Sequence, residues 1–232
     1  VESSVVDRYM LNKYHGEVVF PNQGSQPSET DAEYGGGKVF EAIDGGRENV
    51  ATLDLASLYP MSMLTLNASP ETKVNPDEYD GDTVVAPNGV HFRQDKDGFT
   101  KQIITDLLEE RQQKKDLRNA CDKDDPKYDV YDRQQRAVKV IMNSLYGVMA
   151  WNRFRMYDLE VASATTATGR ECITHTADVV EDMGYELLYG DTDSVLIQLE
   201  DKPKSEQIET AFEVQAEIND SYDQFANDRL DT

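Results

Sequence analysis

The chain has 232 residues, of which 38% are hydrophobic, and 45 acidic against 23 basic side chains give it a net charge of −22. This length is enough to bury a substantial core in one large domain or two small ones. No apolar run approaches the roughly 18 residues that a membrane-spanning helix needs, and the opening residues lack the basic start and apolar block of a secretory signal. Cys121 has no neighbouring Cys or His, and Cys172 has only His175 three residues later, so neither a zinc site nor a disulfide framework is predicted. These features favour a soluble, cytoplasmic protein.

An acidic excess of this size ordinarily argues against a nucleic-acid partner, because phosphates are repelled at long range. The charge is unevenly distributed, however. Residues 99–155 hold twelve Lys or Arg and nine Asp or Glu, a net charge of +3 against −25 for the rest of the chain. Acidic surfaces keep a protein hydrated in concentrated salt, and the same salt screens the repulsion. The excess therefore indicates a salt-adapted protein, with an acidic protein-interaction fragment as the alternative.

The first half of the chain is predicted to contain a glycine-rich connection and one strand. Three consecutive glycines, Gly35–Gly37, are typical of a flexible connection. The alternating segment Asn49–Leu55 favours a strand that ends near Asp54. The residues that follow, SLYP at 57–60, should turn into a helix.

Two amphipathic segments occupy the middle of the chain. Residues Thr100–Ala120 predict a long helix with apolar side chains on one side and charges on the other, and a second helix is predicted over Pro126–Tyr146. The loop between them, around residues 122–125, is short, so the two helices should form an antiparallel hairpin. This hairpin coincides with the basic segment of the chain.

The last third of the chain predicts a helix, a strand hairpin and a second helix. The first helix is expected over Leu159–Met183. Two strands should follow, joined by a tight turn centred on Gly190–Asp193. An acidic amphipathic helix is expected over Ser205–Leu230.

Three aspartates lie at or beside the predicted strand ends. Asp191 and Asp193 are two residues apart, which predicts that their side chains share one face of the hairpin, and Asp54 ends a separate strand. Oxygen ligands without His or Cys suit Mg²⁺. A pair of such metals could activate a hydroxyl group and stabilise a leaving pyrophosphate. The alternatives are a self-capping Asp turn and a Mg²⁺-dependent phosphatase or nuclease that uses the same three aspartates.

Cationic side chains are placed so that they could meet between the two predicted middle helices. Arg111 and Lys115 are four residues apart, and Lys139 and Asn143 repeat this spacing on the second helix, so each pair shares a helical face. Cations in such an arrangement can neutralise phosphate charge during phosphoryl transfer. The alternative is that both faces are simply solvated.

Three segments resemble, in order and spacing, motifs A, B and C of the family B DNA polymerases: DLASLYP at 54–60, KVIMNSLYG at 139–147 and YGDTDS at 189–194. In addition, YGGG at 34–37 is similar to the Y-x-G-G element of that family, and LLEERQQKK at 107–115 is similar to the first fingers helix of its archaeal members. The resemblance extends over essentially the whole chain. Together with the acidic composition, it points to an archaeal member of haloarchaeal type.

The resemblance implies an α+β fold. A polymerase palm, an antiparallel sheet backed by helices, would occupy residues 1–99 and 153–232. An antiparallel helical-hairpin fingers domain would be inserted at residues 100–152. The exonuclease and thumb domains of complete family members are expected to be absent from this chain.

The resemblance also implies roles for individual residues. Asp54 and Asp193 would be the principal ligands of two Mg²⁺ ions with Asp191 adjacent to them, and all three would be catalytic. The ring of Tyr59 would lie under the deoxyribose and exclude a ribose 2′-hydroxyl. The other implied contacts are Ser57, Leu58, Arg111, Lys115, Lys139 and Asn143 with the nucleotide, Tyr146 and Gly147 with the nascent base pair, and Tyr34, Gly35, Gly36 and Arg170 with DNA.

The implied activity is template-directed DNA synthesis by a two-metal mechanism, in which a deoxynucleotide is transferred to a primer 3′-hydroxyl and pyrophosphate is released. The implied partners are primer-template DNA and deoxynucleoside triphosphates, with a sliding clamp as a further partner through regions outside this chain. Neither a replicative nor a repair role is favoured by the sequence.

Overall fold

The computed structural model describes residues 2–24 and 35–230 as a mixed α/β protein with two antiparallel sheets. The helices are α1 Glu2–Lys13, α2 Leu58–Leu66, α3 Phe99–Asn119, α4 Pro126–Met149, α5 Leu159–Asp182 and α6 Lys204–Leu230. The strands are β1 Val39–Phe40, β2 Val50–Asp54, β3 Lys73–Val74, β4 Thr83–Val85, β5 His91–Arg93, β6 Leu187–Asp191 and β7 Ser194–Gln198. Two compact units make up the chain: Val1–Tyr34 with Tyr59–Thr165, and Gly35–Leu58 with Thr166–Thr232.

Helices α3 and α4 of the first unit form the predicted antiparallel hairpin. Helix α4 begins at Pro126, and the side chain of Asp125 caps it by accepting a hydrogen bond from the backbone amide of Lys127. Arg118 near the end of α3 pairs with Asp132 near the start of α4 at 2.9 Å. Further from the loop, Arg111 donates to Gln135 at 3.4 Å. Arg118 thus pairs with Asp132, and the earlier Arg111 pairs with the later Gln135, so the two helices run in opposite directions.

The first unit also contains a small antiparallel sheet that the sequence did not predict. Its strands have two or three residues each and follow the order β3, β5, β4. Phe92 at its centre is fully buried. Lys73 at its edge forms ion pairs with Asp158 and Glu160 at 2.5 and 2.8 Å, which join the sheet to the start of α5.

The second unit is built on a four-stranded antiparallel sheet with the order β1, β6, β7, β2. Burial alternates along its strands. The side chains of one face are buried in β6 and β7 and half-buried in β2, and those of the other face are exposed or half-buried. The buried face packs against α6 and the part of α5 that belongs to this unit. The fully buried residues of this core are Ile173, Val180, Val195, Ile197 and Val214.

The predicted strand that ends at Asp54, the helical hairpin, the strand hairpin and the C-terminal helix are all confirmed, each within a few residues. Helix α1 was not predicted. Within residues 2–24 and 35–230, no helix is long and apolar enough to cross a membrane.

The buried side of α3 should stabilise the first unit, and Leu107 tests this. Its side chain is fully buried, whereas that of Leu117 in the same helix is 44% exposed. We expect Leu107→Ala to lower the free energy of unfolding by about 2 to 5 kcal/mol, because it removes buried methyl groups and leaves a cavity. The matched change Leu117→Ala should cost less than about 1 kcal/mol. Urea unfolding followed by circular dichroism measures both values, and equal losses would contradict the packing described here.

Candidate functional site

Two of the three predicted aspartates lie at the same edge of the four-stranded sheet. Asp54 ends β2 and Asp191 ends β6, and both are paired with Ser194, the first residue of β7. Because residues that are directly opposite in an antiparallel sheet point to the same face, all three side chains share one face. With β7 between them, the two aspartate backbones are about 10 Å apart. Both side chains are exposed.

The third aspartate lies in the turn rather than on a strand. Strand β6 ends at Asp191, and residues 192 and 193 form the connection to β7. The alternation expected along one strand therefore does not set the direction of the Asp193 side chain. Instead, the carbonyl oxygen of Asp193 accepts a hydrogen bond from the amide of Leu55 at 2.7 Å. This bond ties the turn to the residue that follows Asp54.

The carboxylate of Asp191 is held by its neighbours. The Thr192 hydroxyl donates to Oδ1 of Asp191 at 2.8 Å, and the Tyr189 hydroxyl is 3.4 Å from Oδ2. Hydrogen bonds of this kind fix the orientation of a carboxylate that is otherwise surrounded by solvent.

The donor chemistry at this edge suits Mg²⁺, since it consists of carboxylate oxygens on adjacent strand ends. Among residues 2–24 and 35–230, however, no three His, Cys, Asp or Glu side chains lie close enough to hold an ion by themselves. Mg²⁺ commonly takes one or two protein carboxylates and completes its shell with water and substrate phosphates. The arrangement therefore fits a metal that is held jointly by protein and substrate.

The segment after Asp54 forms a tight turn into α2. Ser57 has a positive φ of 57° and directly precedes Leu58, where the helix begins. The side chain of Leu58 is only 8% exposed, so its contact with a nucleotide would have to come from the backbone. Amides at a helix start are suited to bind phosphate.

The cations predicted on α3 and α4 do lie near one another. The pKa of Lys115 is lowered from its ordinary value, chiefly by the positive charge of Arg111 and further by burial, Arg118 and Lys139. Arg118 was not among the predicted residues. It lies three residues after Lys115, so extending the i, i+4 pattern to i, i+3 would have found it.

The motif B face of α4 lines a groove of about 1100 Å³. Lys139, Asn143, Tyr146 and Gly147 were predicted as site residues, and all four line it. The groove is also lined by Arg136 and Trp151, which the sequence reasoning did not include. Among the described residues that line it, none is acidic, so the groove suits an anionic ligand.

Two aromatic side chains from motifs A and B lie together in the first unit. The ring centroids of Tyr59 and Tyr146 are 4.5 Å apart, and the ring planes are tilted by 38°. This contact limits the rotation of both rings. Tyr59 is therefore fixed by packing, which a steric selector would require.

The residues predicted to contact DNA are only partly described. Tyr34 lies outside the described residues. Arg170 of α5 donates to the carbonyl oxygens of Gly35 and Gly36 at 2.8 and 2.7 Å. The structure thus brings three of these four residues together.

Exposed carboxylates at a sheet edge and clustered cations on helices are the side chains used in metal-assisted phosphoryl transfer. The profile of the family described as DNA polymerase family B matches residues 2–228. The chain therefore belongs to DNA polymerase family B.

Individual relatives agree with this assignment. The chain is 41% identical to a DNA polymerase of Archaeoglobus fulgidus over 196 residues, which cover 83% of this chain and 24% of that protein. It is 37% identical to DNA polymerase 2 of Aeropyrum pernix over 186 residues, which cover 79% of this chain and 23% of that protein. The solved structure of the family B DNA polymerase from Pyrobaculum calidifontis matches with a TM-score of 0.73 and 32% identity, over 87% of this chain and 26% of that one. The chain thus spans about a quarter of the length of these relatives.

The mutual repulsion of the helix cations can be measured. We expect Arg111→Gln to raise the pKa of Lys115 toward its ordinary value, because the charge of Arg111 is the largest cause of the lowering. The charge-matched control Arg133→Gln, on the exposed side of α4, should leave the Lys115 pKa in place. NMR titration of the labelled lysine side chain reports the values. An equal rise in both variants would mean that overall charge, rather than this cluster, sets the shift.

Proposed function

We propose that this protein carries out template-directed DNA synthesis, transferring a deoxynucleotide to a primer 3′-hydroxyl with release of pyrophosphate. The observation that carries the proposal is the row formed by the exposed Asp54 and Asp191 side chains on either side of the half-buried Ser194, across three adjacent strands, in a chain that belongs to DNA polymerase family B. The substrates are a primed DNA template and deoxynucleoside triphosphates.

The proposed domain division follows the resemblance. Residues 1–99 and 153–232 form the palm, and residues 100–152 form the fingers. The four-stranded sheet backed by α5 and α6 supports the first assignment, and the α3–α4 hairpin supports the second. The compact units group the small sheet and α1 with that hairpin, so the proposed fingers are the helical part of a larger body.

Asp54 and Asp193 are the proposed principal ligands of two Mg²⁺ ions, with Asp191 beside them. When bound, these ions lower the pKa of the attacking hydroxyl group and neutralise part of the negative charge of the leaving pyrophosphate. Hydrogen bonds within the chain keep the ligands in place. The bond from Leu55 to Asp193 fixes the turn relative to β2, and the Thr192 hydroxyl orients Asp191.

The proposed triphosphate ligands are Arg111, Lys115, Lys139 and Asn143, together with the backbone amides at the start of α2. The positive charges of Arg111, Arg118 and Lys139 lower the pKa of Lys115, so the positive charge around Lys115 is incompletely compensated within the chain. Binding of a triphosphate relieves this repulsion, so part of the electrostatic cost of assembling the cations is recovered when substrate binds.

Tyr59 is the proposed selector against ribonucleotides, and Tyr146 and Gly147 are proposed to contact the nascent base pair. The Tyr59–Tyr146 contact supports this, because a ring fixed at 4.5 Å from its neighbour cannot turn away from an added hydroxyl group without losing that contact. Tyr34, Gly35, Gly36 and Arg170 are proposed to contact DNA.

The acidic composition supports a haloarchaeal-type source. With a net charge of −22, binding to DNA is favourable only where salt screens the distant acidic groups and the cationic helices contact phosphate directly. We place the reaction in the cytoplasm at high salt, with a sliding clamp as a partner of the longer protein.

The aspartates are tested by single-nucleotide extension of a primed template by this chain in molar KCl with Mg²⁺. We expect Asp193→Asn to lower the insertion rate about a hundredfold or more, since changes even to groups that only orient a metal ligand cost up to about that much. The matched control Asp182→Asn, at the exposed end of α5 in the same unit, should insert at the rate of the unchanged chain. Full activity in Asp193→Asn would refute the metal assignment.

The selector is tested separately by competition between deoxyribonucleotides and ribonucleotides. We expect Tyr59→Val to lower the preference for deoxyribonucleotides by about tenfold or more, because removal of the ring opens space for one hydroxyl group. Tyr59→Phe keeps the ring and should keep the preference. If Tyr59→Val discriminates as well as the unchanged chain, another group excludes the 2′-hydroxyl.

A further inference from the structure

The segment from Gly35 to Phe40 lies along the turn that carries Asp193. Strand β1 pairs antiparallel with the end of β6, so that Val39 is opposite Asp191. Beyond the paired residues, the amide of Thr192 donates to the carbonyl oxygen of Lys38 at 2.9 Å. The glycine-rich segment is therefore in backbone contact with the turn.

Gly37 approaches the turn too closely to carry a side chain. A Cβ atom added at Gly37 would lie 2.5 Å from Oγ1 of Thr192 and 3.0 Å from both its Cβ and its Cγ2. Separations under 3.0 Å between such atoms force something to move. The side chain of Thr192 is β-branched and short, so it has little freedom to move aside. Any substitution of Gly37 should displace Thr192.

Thr192 already has an unusual backbone conformation. Its φ is +57°, which is rare for a β-branched residue. The amide of Asp193 bonds to the carbonyl oxygen of Asp191 at 2.6 Å across Thr192, which forms a three-residue turn of the less common, positive-φ type. Such a conformation persists only where its surroundings hold it.

Two cationic side chains fix the glycine segment to α5. Arg170 bonds to the carbonyl oxygens of Gly35 and Gly36 at 2.8 and 2.7 Å. One helical turn later, Thr174 accepts a hydrogen bond from the Lys38 ammonium group at 3.0 Å. The segment is thus held in place on its helix side while it contacts Thr192 on the other.

We propose that Gly37 is a positioning residue for the catalytic turn: its lack of a side chain lets Thr192 adopt the conformation in which its hydroxyl orients the carboxylate of Asp191. This inference rests on the proposed function, in which Asp191 and Asp193 serve at the metal site. Gly37 acts through Thr192, whose hydroxyl donates to Asp191.

The test uses the whole chain and Mn²⁺ as the probe, with a deoxynucleoside triphosphate at one fixed concentration to complete the metal's shell, and free Mn²⁺ is measured by electron paramagnetic resonance. We expect Gly37→Ala to weaken Mn²⁺ binding about 10- to 100-fold, as the loss of groups that orient metal ligands does elsewhere. The matched control is Gly46→Ala, because a Cβ at Gly46 meets no atom within 4 Å; it should bind as the unchanged chain does. Circular dichroism and the melting temperature establish that each variant is folded.

A double-mutant cycle separates this contact from general loosening of the loop. Thr192→Gly removes the side chain that Gly37→Ala would strike and tolerates a positive φ. We expect the double variant Gly37→Ala with Thr192→Gly to bind Mn²⁺ as well as Thr192→Gly alone. If the two losses simply add, the proposed contact does not operate.

Asp193→Asn distinguishes the failure of this inference from the failure of the proposed function. If Asp193→Asn binds Mn²⁺ as well as the unchanged chain, the metal site itself is wrongly placed. If Asp193→Asn loses Mn²⁺ while Gly37→Ala retains it, the metal site stands and only the positioning role of Gly37 is overturned.

Discussion

The position of β7 between β6 and β2 determines which side chains meet at the exposed sheet edge. Because β7 pairs antiparallel with both neighbours, its first residue, Ser194, is opposite Asp54 on one side and Asp191 on the other. A shift of either pairing by one residue would move an aspartate to the opposite face of the sheet. The register is in turn secured by the opposite face, where Val195 and Ile197 are fully buried against helices. Core packing thus sets the position of the polar groups.

The charge distribution divides the chain into a mostly acidic part and a basic helical hairpin. Most of the chain is acidic, and its negative charge opposes association with DNA. The α3–α4 hairpin concentrates positive charge and depresses the pKa of Lys115. Repulsion among cations weakens as salt rises, and so does the repulsion of DNA by distant acidic groups. Under the proposed function, salt would therefore weaken the long-range repulsion of DNA more than it would weaken the close contacts with phosphate, because close charge pairs are screened less than distant ones.

Several elements followed from the sequence because their pattern is local. The alternation before Asp54 and the long amphipathic repeats of α3 and α4 involve neighbouring residues alone. The small sheet was missed because strands of two or three residues are too short to show a period of two. The spacing of Asp191 and Asp193 could not reveal that one ends a strand and the other lies in a turn. Arg118 lies three residues after Lys115 and seven after Arg111, so the i, i+4 spacing of the predicted cations does not include it.

The glycines give a physical reason why some functional residues cannot be predicted from the sequence alone. Gly36 and Gly37 are adjacent and chemically identical, yet an added Cβ would meet nothing within 4 Å at Gly36 and would strike Thr192 at Gly37. The difference arises from a partner 155 positions later in the sequence, so no local pattern contains it. When the residues that contact it are unknown, a run of glycines predicts a flexible connection. In this structure, Arg170 and Lys38 anchor the run to α5. Because Gly37 has no side chain, Thr192 fits against it in the turn that carries Asp193.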